Sequence, residues 1–194
     1  MNRFWLAVAL AAAIGQRPAA GALPRVVLET DAGEIQLEID NVRAPKSAAN
    51  FLQYVDAGLY DDGRFHRTVR TSPDNQPQND IKIDVVQAGA NSARRAEYFA
   101  SVAHEPTSET KLSHTNGVVS MARAQVNTAR DQFFICIGDQ PQLDEGGKRN
   151  PDGQGFAAFG RVVDGMDVVR KIHASPASGQ TLTPAVRIVR IRRR

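Results

Sequence analysis

A single cysteine, Cys136, stands in a chain of 194 residues, so no disulfide can close within it. A fold made from this sequence must hold together by packing alone. Cys136 lies inside an apolar run, where a free cysteine behaves as a small buried hydrophobe. Histidine is scarce as well, with four copies. His104, His114 and His173 have neither metal-ligand spacing nor a carboxylate pattern, which argues against a metal site. No apolar run reaches the length of about 20 residues needed to span a bilayer. Internal repeats and a linker to a second domain are also missing.

The most apolar stretch is at the N-terminus. Asn2 and Arg3 supply a short positive start, Phe4 to Ile14 is uncharged and apolar, and Ala20-Gly21-Ala22 is a small-x-small cleavage pattern. This predicts a secretory signal peptide over residues 1–22, cut after Ala22, and one domain over 23–194. The mature chain is then expected to be periplasmic or secreted, without stable membrane insertion. The formal net charge of +3 misleads, because Arg187, Arg190, Arg192, Arg193 and Arg194 crowd the C-terminus. Without them the body is slightly acidic, which argues against nucleic-acid binding. The cluster is expected to be the frayed, solvated end of an edge strand; a phosphate or anionic-lipid site is the other reading.

Arg25 to Glu29 and Glu34 to Ile39 alternate apolar and polar residues around Asp31-Ala32-Gly33, the pattern of a hairpin. From Ala44 to Ala57 the period changes. Ala48, Phe51, Leu52 and Val55 follow helical spacing, with Pro45 in the first turn and Gly58 just past the end. Short strand-like runs follow at Phe65–Val69, Ile81–Gln87, Val118–Ala122, Gln132–Gly138 and Ala157–Val163, then a helix over Asp164–His173 and a last strand over Val186–Ile191. Many short strands with two helices predict a closed or sandwiched β domain. Thr71–Asp80 has no apolar residue and reads as an exposed, solvated loop.

Phe65-His66-Arg67 is followed by NGVVSMA, then Asn127-Thr128, then Gln132-Phe133-Phe134-Ile135, then FGRVVDGMDVV. From Arg25 to Ile191 this series resembles the cyclophilins, the peptidyl-prolyl cis/trans isomerases. The resemblance implies a mainly β fold, a closed eight-stranded antiparallel barrel capped by two helices. It also implies isomerisation of X-Pro bonds in unfolded or proline-containing segments of other exported proteins, by a monomer that needs no cofactor and no metal. A catalytically weak cyclophilin-like peptide-binding module or chaperone is the alternative.

Such chemistry suits the residues. The X-Pro amide barrier is about 18–20 kcal/mol, and no covalent step is required to lower it. In the twisted state conjugation is lost and the prolyl nitrogen gains a lone pair. A guanidinium is cationic at every relevant pH and donates hydrogen bonds from a fixed fork. Arg67 is therefore the expected catalytic residue, and His66 is read as structural because alternation along a strand turns it away from Arg67. By resemblance, Gln87 orients Arg67 and the substrate carbonyl. Phe134 is the proline-pocket floor, Leu143 an apolar wall and Phe156 a rim residue. Gln132 and the backbone of Ala122 and Arg123 form the groove for residues flanking proline. Val85 lines the proline pocket by the same resemblance, where the family usually has methionine; the chain also departs from the family at Asp84 (usually aromatic), Arg123 (usually asparagine) and Gln142, where the tryptophan of cyclosporin-sensitive members is missing. Thr71–Asp80 and Arg149–Gly155 read as insertions.

Overall fold

The computed structural model describes residues 21–194, so the expected leader lies, but for its last two residues, outside the described residues. The hairpin forms as expected from β1 (Arg25–Thr30) and β2 (Gly33–Ile39), paired antiparallel. Gly33 adopts φ +138° at its turn, and the Thr30 hydroxyl donates to the Gly33 carbonyl at 2.6 Å. α1 spans Pro45–Asp56 and buries Ala48, Phe51, Leu52, Tyr54 and Val55, the stripe its spacing dictates. Its N-cap Ala44 offers no side-chain acceptor. The carboxylate of Glu105, distant in sequence, accepts instead from the Lys46 and Ser47 amides at 3.0 and 2.7 Å.

The remaining strands are β3 (Arg64–Val69), β4 (Val85–Gly89), β5 (Val118–Met121), β6 (Phe133–Cys136), β7 (Ala157–Asp164), β8 (Ala177–Ser178) and β9 (Thr181–Arg193). A four-residue α2 (Thr107–Thr110) precedes β5, and α3 (Met166–His173) follows β7. The strands run β1-β2-β7-β5-β6-β4-β3-β9, and β9 pairs back onto β1. Eight strands therefore close an antiparallel barrel, with α1 against β7 and β9 and α3 against β2, β3 and β4. The two-residue β8 adds only a short hairpin onto β9.

Three expectations need correction. β9 is no frayed edge: it pairs with both β1 and β3 and completes the barrel. Its arginines are matched to carboxylates, Arg187 to Asp62, Arg190 to Glu29, Arg192 to Asp61 and Arg193 to Asp56, which removes the basis for a free anion site. Residues 71–80 are not merely solvated, since Gln76 is 1% exposed and bonds the backbone carbonyls of Arg70 and Ile83. β4 begins only at Val85, because the Asp84 carboxylate is bonded to the amide and hydroxyl of Thr71.

Two clusters divide the apolar side chains. The larger fills the barrel around Phe51, Tyr54, Tyr60, Phe65, Phe133 and Phe159. The smaller joins Val69, Ile83, Val85, Phe134, Cys136 and Leu143, with half-buried Ala122 and Phe156 against it. Phe133 and Phe134 fall in different clusters, as the alternation of a strand demands. Burial among these neighbours, with the Asp144 and Asp139 carboxylates near, pushes the Cys136 thiol far up, so it stays an inert packing residue.

Candidate active site

Arg67 reaches the site through a register shift. Phe65 pairs with Ala88 but Arg67 pairs with Gln87, so His66 is the extra residue of a β-bulge in β3. Without it Arg67, two residues from the core residue Phe65, would face the barrel interior. With it, Arg67, Gln87 and Phe134 stand in one cross-strand row over β3, β4 and β6. The bulge also overturns the alternation argument for His66. Its half-buried ring lines a surface cavity of about 470 Å³ together with Asp131 and Gln132. Burial pushes the imidazole pKa below its usual value, and the charge of Arg67 adds to the shift.

The Arg67 guanidinium is held by neutral groups. Its Nη1 donates to Gln87 Oε1 at 2.9 Å, and its Nε and Nη2 both donate to Gln180 Oε1 at 2.9 and 2.6 Å. Among the described residues no carboxylate pairs with it. Partial burial lowers its pKa, which leaves it cationic at physiological pH. Gln87 in turn donates from Nε2 to Gln132 Oε1 at 2.6 Å. Arg67, Gln87 and Gln132 thus form one oriented chain. Beyond it lies a cavity of about 400 Å³ lined by Ala122, Arg123, Thr128 and Arg130.

The apolar side of the site is the smaller cluster. Val85, Phe134, Leu143, Ala122 and Phe156 come together there, from five separate stretches of chain. Phe134 is only 4% exposed, so it is a covered floor and not an open one. Phe156 packs edge-on to it at 5.2 Å between ring centroids. On its other face Phe134 stacks on His114 at 5.9 Å, with 16° between the planes. His114 bonds Asp144 Oδ1 at 2.6 Å and Ser120 Oγ at 2.9 Å. A serine, a histidine and an aspartate in line would suit nucleophilic catalysis, but Ser120 and His114 are 0% and 1% exposed beneath Phe134. They act as the bracing under the floor. For the Asp144 carboxyl, burial works upward, but the hydrogen bonds from His114 outweigh it and hold the pKa below the ordinary range.

The two segments read as insertions contact the site in ways the sequence did not foretell. The Arg123 side chain is 1% exposed and pairs with Asp152 at 2.7 Å. It also donates to the Gly155 carbonyl, and its guanidinium lies 5.3 Å over the Phe156 ring. The side chain of Arg123 is thus committed to anchoring residues 149–155. The Arg123 bonds, the Gln154 amide and the charge of Arg123 pull the exposed Asp152 carboxyl down to about 2. Phe156 is set beside Leu143 by its amide, which donates to the Leu143 carbonyl at 2.9 Å. Arg149 donates to Gln76 Oε1 at 3.0 Å, joining the second insertion to the first. Gln180 was not foreseen, because a lone glutamine in a turn has no sequence signal.

Comparison with known proteins places this geometry in a family. The family model for "Cyclophilin type peptidyl-prolyl cis-trans isomerase/CLD" matches residues 25–193. The chain is 34% identical to peptidyl-prolyl cis-trans isomerase A of Dickeya dadantii over 148 residues, covering 76% of this chain and 70% of that protein. It is 35% identical to the isomerase cyp18 of Streptomyces antibioticus over 148 residues, covering 76% of this chain and 81% of the other. The chain is a member of the cyclophilin family. The cyclophilin barrel itself is matched by a crystal structure of a Cryptosporidium parvum cyclophilin at TM-score 0.66 and 20% identity, over 89% of this chain and 98% of that one. A second structure of that protein, in the presence of the dipeptide Ala-Pro, matches at TM-score 0.64 and 22% identity, over 86% and 96%. As a cyclophilin, this protein is a peptidyl-prolyl cis-trans isomerase, and the ligand class it takes is the proline-containing peptide.

Proposed function

We propose that this cyclophilin accelerates X-Pro rotation by presenting the Arg67 fork to the prolyl nitrogen. The single observation carrying this reading is that Arg67 is fixed by two amide oxygens, Gln87 and Gln180, with its positive charge unneutralised. A planar imide offers that fork almost nothing. As the bond twists, the nitrogen lone pair becomes an acceptor, so the interaction strengthens only in the transition state. Bringing tens of seconds down to about a millisecond requires roughly 7 kcal/mol. One well-placed donor supplies about 3–4 kcal/mol of that. The rest comes from holding the ring against Phe134, Val85 and Leu143, with Phe156 at the rim, while the carbonyl before proline turns.

Gln87 and Gln132 supply the next donors along the groove, where the Ala122 and Arg123 backbone receives the residues flanking proline. Phe156 must swing outward to admit the ring, since Phe134 is covered to 4% exposure. The clients are exported proteins, met in the periplasm or outside the cell after removal of residues 1–22. The charged start, apolar run and Ala20-Gly21-Ala22 pattern support that reading. The protein acts on them as a monomer, without cofactor. Exchange spectroscopy on an X-Pro peptide tests the catalytic part. Added protein should broaden and merge the cis and trans signals; tight binding with the two signals still sharp would make it a peptide-binding module instead. N-terminal sequencing of the protein recovered from its producing cells tests the export part. A start at Leu23 is expected, and an intact Met1 would refute it.

A further inference from the structure

A guanidinium carries five N–H donors. In Arg67, three are taken by the protein: one on Nη1 by Gln87, and Nε with one on Nη2 by Gln180. Two remain, one on each terminal nitrogen, and these are the donors a twisted imide can meet. Gln180 therefore decides which edge of the fork is left free. Because arginine only donates, the Gln180 oxygen must face it, and the amide orientation is unambiguous. We propose that Gln180 is a positioning residue for the catalytic arginine, held in turn by the insertion at residues 71–80. This rests on the reading of Arg67 given above.

The support is continuous. Gln180 follows Gly179, whose φ of +57° turns the chain between β8 and β9. Its own backbone carbonyl accepts from the Thr68 amide at 2.8 Å, next to Arg67 in β3. Its Nε2 donates to the Asn75 carbonyl at 3.1 Å. The Asn75 side chain ties back to the same place, donating to the carbonyls of Thr68 at 2.9 Å and Gly179 at 3.1 Å, and accepting from the Arg70 amide at 2.8 Å. A polar loop beside the site is thereby converted into scaffolding. A glutamate at position 180 would accept the same bonds but would neutralise the fork. The uncharged amide fixes the guanidinium and leaves its charge for the substrate.

Three variants test this, Q180L, Q180E and N75A, read by peptide titration, cis/trans exchange at saturating peptide, and the Nε–H resonance of Arg67. In Q180L the exchange rate should fall roughly tenfold with peptide affinity held within about twofold, and the Arg67 resonance should move. In Q180E exchange should be slow at neutral pH and should recover toward the wild-type rate, measured at the same pH, as the carboxyl is protonated. N75A should show the Q180L pattern in weaker form. Wild-type exchange in Q180L with an unmoved Arg67 resonance would overturn the proposal, as would a flat pH profile at wild-type rate in Q180E. Should the wild type itself fail to exchange the peptide, the isomerase mechanism falls. The Arg67 resonance in Q180L would still decide whether Gln180 positions the fork.

Discussion

Arg67 faces the site because one residue, His66, is in excess on its strand. Phe65 and Arg67 belong to the same face by simple alternation, yet Phe65 is fully buried in the barrel and Arg67 is outside it. The motif Phe-His-Arg was legible, and so was its resemblance. The bulge was not, because it is set by how β3 pairs with β4 and β9, which no local pattern records. The same reason hides Gln180. What was legible at this scale is the split of Phe133 from Phe134, which needs only the two-residue period of a strand. Arg67 stays charged, and burial moves the His66 titration below its usual value near 6.5, so neither group titrates around neutrality. The exchange rate constant should therefore be flat between about pH 7 and 8.5. A step inside that window would implicate a titrating group that this mechanism does not contain.

At the scale of elements, helices and loops are completed by residues far away in sequence. α1 was legible from its apolar stripe, from Pro45 and from Gly58, but its cap was not, since Glu105 supplies it from the segment before α2. Glu105 is 4% exposed and also accepts from the Ser47 hydroxyl at 2.7 Å, so it is fully engaged at the positive end of the helix. Replacing it with alanine should cost about 2–3 kcal/mol, read as a lower midpoint in denaturant at unchanged slope. A variant as stable as wild type would show that α1 needs no such cap. Arg123 and residues 149–155 form a second such pair. The two look unrelated in sequence, and they meet in the Arg123–Asp152 contact. R123A should loosen the insertion and release Phe156, weakening peptide binding more than turnover at saturation. Peptide titration beside saturated exchange separates the two, and a loss confined to turnover would contradict the role given to Arg123.

At the scale of the whole molecule, barrel closure depends on the C-terminal strand. The segment was legible as a strand but not as the closing one, because its arginines read as solvated until β1 is placed beside it. Deleting residues 190–194 removes most of the pairing between β9 and β1 and should open the barrel, seen as loss of a cooperative thermal transition. A truncated protein melting like the intact one would contradict that topology. The arginine pairs also set the acid behaviour. Hydrogen bonds from Arg161 and Arg25 hold the Glu38 carboxyl below its ordinary pKa, and bonds from Arg193 and Arg192 do the same for Asp56 and Asp61. A group whose pKa is lower in the folded state stabilises it fully above the unfolded value, and that contribution fades as pH falls through the folded one. Stability should therefore be level from neutrality to about pH 5 and decline below about pH 4. These pairs are largely exposed, so added salt should reduce the effect. Stability unchanged down to pH 3 would show that the pairs contribute nothing.

The most direct measurement is the cis/trans exchange rate of a saturating X-Pro peptide with wild-type protein and with R67A, each checked for an intact fold by its thermal transition. Loss of the fork should slow exchange about 10²–10³-fold while the melting curve and the peptide affinity stay close to wild type. Equal exchange rates in the two proteins would contradict the account at its centre.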